Sequence, residues 1–129
     1  MTHPKNRIQL VYFLRRRRGM TVEEFRAYWL QTHGPLVVKH AETLGIRRYA
    51  QIHPHAETKD LFAERNGLVV DQFDGVAEIT YDAHAFSVPR SEAQLEAAQE
   101  LLEDERRFIE LSVSPMQLGN EHVLWSGKA

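Results

Sequence analysis

The sequence of 129 residues predicts one α+β domain, in which two helices cover one face of a four-stranded antiparallel sheet. Three observations lead to this fold class. Short apolar segments alternate with period two, two longer segments show helical spacing behind a capping box, and glycine and proline separate the segments. A chain of this length supports a single hydrophobic core. We therefore treat residues 1–129 as one domain and expect flexible ends at residues 1–6 and 126–129.

The first strand and the first helix are predicted from residue spacing. Apolar side chains occur in both phases of residues 7–14, which indicates a strand that is covered on both faces. Thr21 and Glu24 have the spacing of a capping box, and Phe25 and Trp29 follow on one helical face. These residues predict an amphipathic helix that begins directly after Thr21.

Glycine and proline divide the next part of the chain. Gly34-Pro35 is expected to kink or break the helix, because a residue that precedes proline avoids the helical conformation. A second helical piece covers residues 36–44 and ends at Gly45, a residue type that favours a helix C-cap. Residues 46–55 then alternate as a second strand.

The middle of the chain has the weakest pattern. Residues 56–74 show no clear period and are predicted to form a long loop. Residues 68–70 are its one apolar run and are expected to cover part of the fold. A third strand follows at residues 76–81, with Glu78 in the middle of its apolar residues.

A second long helix and a fourth strand complete the prediction. Ser91 and Gln94 form a second capping box, Pro115 ends the helical segment, and residues 116–125 read as an irregular strand. The resulting order of elements is typical of a ferredoxin-like βαββαβ domain. Because such a sheet leaves one face uncovered, we expect two copies to pair sheet to sheet as a homodimer. The apolar face of the second helix is predicted to comprise Leu95, Ala98, Leu101, Leu102, Glu105, Phe108 and Ile109.

Composition excludes several classes of function. The net charge of −2 favours neither nucleic acid nor an anionic membrane surface, and no apolar run has the length of a membrane helix or a signal peptide. The absence of cysteine removes disulfides, thiol nucleophiles and thiolate metal sites. The sequence also contains no nucleophile elbow and no phosphate-binding glycine loop. We expect a cytoplasmic protein, and proton-transfer chemistry remains open to it.

A run of four arginines, Arg15–Arg18, follows the first strand and ends at Gly19. Most charge runs of this kind are solvated surface, and a solvated strand end is the simpler interpretation. The alternative is a rim that attracts anions to a pocket.

Several segments together resemble the EthD family of dimeric α/β-barrel proteins. They are a strand and the arginine run, followed by MTVEEFRAYWLQTHGPLV, IRRYAQIH, DGVAEITYD and EDERRFIELSVS, and the resemblance covers about residues 10–124. The Trp29-x-x-x-His33-x-Pro35 element is the most specific of them. The resemblance implies a ferredoxin-like subunit, a homodimer whose two sheets close into a barrel, a cleft between sheet and helices, and no required metal or organic cofactor.

The same resemblance fixes the fold better than the reaction. Members of the family and their relatives are linked to the breakdown of ethers and aromatic compounds, and to cyclisation, dehydration or decarboxylation in polyketide pathways. Relatives with the same barrel also include cofactor-free oxygenases and haem binders.

His33 is the first candidate for a catalytic group. An imidazole gives or takes a proton near neutral pH, and the expected helix break beside it would direct it into a cleft. The alternative is a structural histidine that closes the helix end with a hydrogen bond. Tyr49 on the second strand is its expected catalytic companion.

Aromatic and polar side chains near His33 are candidates for substrate binding. Trp29 and Phe108 would line an apolar pocket, although plain core packing explains Trp29 as well. Tyr49, Gln51 and His53 share one phase of the second strand, which is unusual for a fully apolar core face. This phase predicts a polar wall of the cleft or a wet lumen of the dimer barrel.

Carboxylates in apolar surroundings are possible acid–base groups, because burial raises a carboxyl pKa. Glu78 and Asp104 are candidates for this role and for substrate contacts. The alternative is a buried or semi-exposed ion pair of Glu105 or Glu78 with Arg47 or Arg48, and for Glu105 we expect that ion pair.

The histidines His40, His53 and His55 raise the question of a metal or haem site. No third ligand stands at a metal-binding spacing, so we expect neither metal nor haem.

These observations lead to one hypothesis and two alternatives. The hypothesis is a cofactor-free enzyme of the isomerase or lyase type, which moves protons on a hydrophobic, aromatic or polyketide-like metabolite with His33 as acid or base. The first alternative is a non-catalytic protein that binds a hydrophobic metabolite in a degradation pathway. The second is a cofactor-free oxygenase.

Overall fold

The computed structural model describes residues 6–66, 73–87 and 89–128. The predicted order of strands and helices is present, with one additional helix between the second and third strands. The strands are Arg7–Leu14 (β1), Ile46–Ile52 (β2), Gly75–Asp82 (β3) and Met116–Gly119 (β4), and the helices are Val22–Tyr28 (α1), Gly34–Leu44 (α2), Ala56–Asn66 (α3) and Glu92–Phe108 (α4).

The four strands form one antiparallel sheet in the order β2-β3-β1-β4. Alternation along β1 buries Leu10, Tyr12 and Leu14 against the helices, while Val11 and Phe13 lie half-buried on the opposite face. The predicted ferredoxin-like α+β fold is therefore confirmed, and the core lies on the side of the sheet that α1, α2 and α4 cover.

The expected break at Gly34-Pro35 is wrong. The backbone stays helical from α1 to α2, and one widened π-helical turn, Trp29–His33, joins the two helices. Pro35 stands in the first turn of α2, where a missing N–H removes no essential helical hydrogen bond. As predicted, α2 ends at Gly45, which has a left-handed φ of 71°.

Residues 56–66 of the predicted loop form α3 instead. This helix has no distinct apolar face, and its Leu61 and Phe62 are exposed, so no helical period is visible in the sequence. The apolar run at residues 68–70 lies outside the described residues. β2 also ends earlier than predicted, at Ile52, before Pro54, which has no N–H for a strand ladder.

Helix α4 begins as predicted and turns most of the predicted face to the core. The Ser91 and Gln94 side chains accept each other's backbone N–H at 3.1 and 2.8 Å, which confirms the capping box. The predicted inclusion of Leu95 is wrong, since that side chain is 55% exposed. The residues that α4 buries are Ala97, Leu101, Asp104 and Phe108.

The predicted fourth strand over residues 116–125 is shorter in the structure. Only Met116–Gly119 pair with β1, and Leu124 and Trp125 beyond them are almost fully exposed. The hydrogen-bonded ladder, rather than the apolar content of the segment, sets this boundary.

The core is built around Trp29, whose side chain is 1% exposed and contacts Phe25 at a ring-centroid distance of 5.6 Å. Its ring lies directly over Gly75, the first residue of β3, where an added Cβ would overlap the indole. Glycine is needed at this position because only a bare backbone allows the tryptophan to pack so closely.

We expect Gly75→Ala to lower the free energy of unfolding by about 1–3 kcal/mol, because the new methyl group forces Trp29 out of its packed position. Urea denaturation measures the change as a shift in the midpoint. Gly119→Ala in β4 is the matched control, since a Cβ there meets nothing within 4 Å. Equal midpoints for the two variants would contradict the packing argument.

Candidate functional site

A small cavity of about 60 Å³ lies between the sheet and the helices. Its walls come from β1, β2, β3, the π-helical turn, α2 and the α4 region, and most of them are apolar. His33, Tyr49 and Glu105 are three of the polar groups on these walls. The remaining lining residues are Tyr12, Leu14, Trp29, Val37, Ile46, Ala77, Ile79, Tyr81, Leu101 and Ile109.

His33 is held at the end of the π-helical turn by a buried carboxylate. Its side chain is buried, its ring lies against Phe108 at a centroid distance of 4.9 Å, and its Nδ1 is 2.8 Å from Asp104 Oδ2. An ionised carboxylate only accepts hydrogen bonds, so Nδ1 carries the proton in this pair. The lone pair of the neutral imidazole is then on Nε2, which is the nitrogen available for proton transfer.

Asp104 is the centre of a hydrogen-bonded cluster that joins α4 to α1 and the π-helical turn. Its Oδ1 accepts hydrogen bonds from Tyr28 Oη at 2.5 Å and from Arg107 Nη1 at 3.0 Å. Burial alone would raise the pKa of Asp104, but the hydrogen bonds from Tyr28, His33 and Arg107 outweigh burial and hold the pKa below its usual value. Asp104 therefore remains charged.

The pKa of His33 moves in the direction that favours a base. Burial lowers the pKa of His33 below 6.5, and the nearby charge of Asp104 offsets only part of this effect. The imidazole is consequently neutral at neutral pH and able to accept a proton on Nε2.

The π-helical turn also fixes the position of β2. The Trp29 carbonyl accepts the Gly34 N–H and, in addition, Gln51 Nε2 at 2.9 Å. A Cβ on Gly34 would lie 3.1 Å from Gln51 Nε2, so glycine allows the amide to approach. The widened turn thereby becomes a hydrogen-bonded link between helix and sheet.

The polar phase of β2 forms one connected chain. Gln51 Nε2 donates to Tyr49 Oη at 2.8 Å, and Gln51 Oε1 is 2.9 Å from His53 Nε2. His53 stacks on Trp29 at a ring-centroid distance of 4.5 Å. Only Tyr49 of the three lines the cavity. Gln51 and His53 lie outside the lining and are connected to Tyr49 by these hydrogen bonds. Burial, followed by the positive charge of Arg26, lowers the pKa of His53.

Glu105 occupies a cavity wall, which the sequence did not predict. Burial, followed by the neighbouring charge of Asp104, raises the pKa of the Glu105 carboxyl to about 7. The expected ion pair is wrong, because Arg47 pairs with Asp82 at 3.3 Å and Arg48 pairs with Glu78 at 3.7 Å. A sequence signal was present in the position of Glu105, which stands four residues after Leu101 on the predicted apolar face.

The remaining predicted site residues lie elsewhere. Glu78 stands opposite Val11 in the sheet and shares its face, away from the cavity. Phe108 is fully buried in the core and contacts His33 from outside the cavity wall. Trp29 is both core residue and cavity wall.

Within the described ranges, no three histidine, aspartate or glutamate side chains cluster as a metal site would require. His40 instead contacts Glu100 at 2.9 Å, and His55 contacts Thr58 in the first turn of α3.

Comparison with known proteins gives the family. The sequence pattern of the EthD domain matches residues 17–112, which is well over half of the chain. The chain belongs to the EthD family. No curated protein matches its sequence.

Solved structures with the EthD-type fold are similar at low sequence identity. An EthD-like protein from Ralstonia eutropha JMP134 has a TM-score of 0.58 and 17% identity, over 94% of this chain and 96% of that one. A dimeric protein of unknown function and ferredoxin-like fold from Bacteroides fragilis has a TM-score of 0.53 and 9% identity, over 90% and 97% of the chains. At these identities the similarity establishes the shared fold.

The EthD resemblance predicted from the sequence is thus confirmed, as is the ferredoxin-like subunit that it implied. Among the described helices, none combines the length and the apolar character required to span a bilayer.

We expect Glu105→Gln to stabilise this EthD-family protein at pH 8.5 but much less at pH 5. The folded pKa of about 7 exceeds the ordinary 4.5, so the stability contributed by protonated Glu105 is present below pH 4.5 and is lost as pH rises through 7. Glutamine removes this loss, which amounts to about 1–3 kcal/mol.

Urea denaturation at the two pH values measures the difference between variant and wild type. Glu103→Gln, at an exposed position of the same helix, controls for the change in net charge. A stability difference that is the same at both pH values would count against a protonated Glu105 in the cavity.

Proposed function

We propose that this EthD-family protein is a small, cofactor-independent enzyme that transfers protons on a hydrophobic, carbonyl- or phenol-bearing metabolite. The reaction would be of the isomerase or lyase type. The observation that carries the proposal is the pairing of two groups on the walls of one apolar cavity. His33 has a lowered pKa and is neutral, whereas Glu105 has a pKa raised to about 7 and is partly protonated at neutral pH.

The proposed mechanism begins with His33 as the base. Nε2 removes a proton from a carbon next to a carbonyl, and the electron pair of the broken C–H bond moves toward the carbonyl oxygen. The resulting imidazolium is stabilised by Asp104, which is 2.8 Å from Nδ1. A fixed carboxylate in this position favours the charged product of proton transfer and requires no reorganisation.

Glu105 is the proposed acid of the same step. Its protonated carboxyl donates to the developing oxyanion, which gives an enol, or to a leaving hydroxyl, which gives dehydration. In an isomerisation, the His33 proton is delivered to a different carbon while the enol O–H returns its proton to Glu105, so the carbonyl re-forms and both groups are restored. Burial raises the pKa of Glu105 to about 7, so a substantial fraction of the carboxyl groups keep their proton at neutral pH.

Tyr49 is proposed to orient the substrate. Its oxygen accepts the Gln51 amide, so its own O–H is directed to another acceptor, for which a substrate carbonyl is suited. Burial raises the pKa of Tyr49, and the phenol therefore stays protonated as a donor.

Cavity size limits what the site holds. The 60 Å³ available is well below the roughly 300–1,000 Å³ of pockets that enclose a drug-sized ligand. We propose that only the reacting end of the metabolite, a carbonyl and its neighbouring carbons, enters this cavity. An aromatic or polyketide-like body would remain outside it.

Hydrogen–deuterium exchange at the α-carbon of small ketones and 1,3-dicarbonyl compounds tests the proposal. We expect wild-type protein to accelerate exchange, and His33→Gln to reduce the acceleration by about 10²-fold or more. Glutamine retains an N–H donor toward Asp104 but provides no base. The control is His84→Ala, because His84 is exposed and is not part of the cavity lining.

Exchange by His33→Gln at the wild-type rate would refute the acid–base assignment. Ligand binding without exchange in any variant would favour the non-catalytic binding protein. Consumption of dioxygen with the same compounds would favour the oxygenase.

We also propose that the protein is a homodimer through the face of the sheet that its helices leave uncovered. Half-buried Val11 and Phe13 lie on this face beside a concavity of about 340 Å³, and Ile52 is 48% exposed on the same sheet. A second copy would cover these apolar groups. The dimeric Bacteroides fragilis protein shows that a ferredoxin-like fold of this kind occurs as a dimer.

Sedimentation analysis is expected to give a dimer for wild type and a monomer for Val11→Lys. The new lysine stands opposite Glu78 in the sheet, so it suits the isolated subunit while placing a charge in the proposed interface. Val38→Lys on α2, at a side chain that is 65% exposed, is expected to remain dimeric. A monomeric wild type, or a dimeric Val11→Lys, would contradict this interface.

A further inference from the structure

The arginine run Arg15–Arg18 lines an open concavity of about 770 Å³ at the end of β1. This concavity is separate from the cavity that holds His33 and Glu105. The other residues of its lining are Gly19, Met20, Asp74, Glu110, Ser112 and Val113. Its lining includes four arginines and two acidic residues, although the whole chain has a net charge of −2.

The backbone that carries these arginines is fixed to the end of α4. Arg17 N–H donates to the Phe108 carbonyl at 2.9 Å, and Glu110 N–H donates to the Arg15 carbonyl at 2.9 Å. Arg16 and Ile109 form a β-bridge between the two segments. The run is therefore held as part of the folded domain, and its side chains project from an ordered frame.

The two carboxylates are used unequally. Asp74 is committed to Arg16, with Oδ1 2.7 Å from Nη1 and Oδ2 2.8 Å from the backbone nitrogen. Within the described part of the chain, the Glu110 carboxylate accepts one long hydrogen bond of 3.4 Å, from the Arg18 backbone N–H. Asp74 thus neutralises one arginine and holds that part of the loop in place.

The side chains of Arg17 and Arg18 are left without a carboxylate partner among the described residues. Arg17 Nη1 donates to the Arg106 carbonyl at 3.4 Å, and both side chains are exposed on the rim of the concavity. A guanidinium presents planar, paired N–H donors that match a phosphate or carboxylate group. Two adjacent guanidiniums of this kind on a fixed backbone form a receptor for an oxyanion.

We propose that this concavity binds the phosphate or carboxylate group of a small anionic ligand, with Arg17 and Arg18 as the recognising residues. Gly19 follows them with a left-handed φ of 89°, which allows a tight turn. In this turn the Met20 N–H donates to the Arg17 carbonyl at 3.1 Å. The site is independent of the proposed proton transfer and does not require it. The chain nevertheless places the two close together, since Leu14 and Ile109 line the inner cavity and Arg15 and Glu110 line the concavity.

Titration of the full chain with pyrophosphate and, separately, with citrate at low ionic strength tests the proposal. Isothermal calorimetry is expected to show saturable binding of at least one of the two. A comparison of the two affinities distinguishes a phosphate from a carboxylate ligand. Arg17→Gln/Arg18→Gln is expected to weaken that binding about tenfold or more, because charge-assisted hydrogen bonds are lost.

Arg26→Gln/Arg65→Gln is the matched control. It removes the same charge from exposed positions on α1 and α3, outside the concavity, and is expected to leave affinity within about twofold, as screened distant charges do. Equal weakening by both double variants would show a non-specific charge effect and overturn the site. Absence of saturable binding to either anion would overturn it as well.

Amide chemical-shift mapping of the wild-type protein gives a second measurement that needs no variant. The anion-induced shifts are expected to cluster at residues 15–20 and 110–113. Shifts that cluster instead around His33 and Tyr49, or spread over all exposed cations, would assign the anion to a different place and contradict the proposal.

Discussion

The buried carboxylate of Asp104 is the constraint on which the rest of the site depends. A charged side chain with 2% exposure is stable in a core only when several hydrogen-bond donors surround it. The donors are Tyr28 of α1, His33 of the π-helical turn and Arg107 of α4 itself, so the cluster joins α4 to the other two segments. The same bonds orient the imidazole and select its tautomer. Structural need and the proposed chemical function therefore coincide in one residue.

Two adjacent carboxylates on α4 have opposite properties because a helix turns about 100° per residue. Asp104 points into the donor cluster, which holds its pKa low, and Glu105 points into the cavity, where burial raises its pKa to about 7. One turn of helix thus supplies both the anchor of the proposed base and the proposed acid. The neighbouring charge of Asp104 contributes to the raised pKa of Glu105, so the two residues are also coupled electrostatically.

Because successive residues of a strand point to opposite faces of the sheet, neighbouring residues of β2 have different surroundings. Tyr49 points to the helices and the cavity, whereas Arg48 points to the opposite face, where it pairs with Glu78. Connection of Gln51 to the Trp29 carbonyl joins this wall to the π-helical turn. A glycine on each side of Trp29, at Gly34 and Gly75, permits these close approaches. The small cavity is the space that remains after this packing is complete.

The candidate site was only partly accessible from sequence. His33 and Tyr49 were identified from residue type and spacing, and both line the cavity. Glu105 stands on the predicted apolar face of α4, but residue spacing does not say whether an inward-facing carboxylate meets a cation or a cavity. The packing of α4 on the sheet decides this and places Glu105 at the cavity wall.

For the fold, the sequence by itself determined the order of strands and long helices, both capping boxes and the glycine that ends α2, because these depend on local hydrogen bonds and residue conformation. Tertiary structure decided whether Gly34-Pro35 would interrupt the helix and whether residues 56–66 would be helical. It also decided where α4 places its carboxylates. These outcomes depend on contacts between segments distant in sequence, such as that of Gln51 with the Trp29 carbonyl, whose energies no local pattern contains.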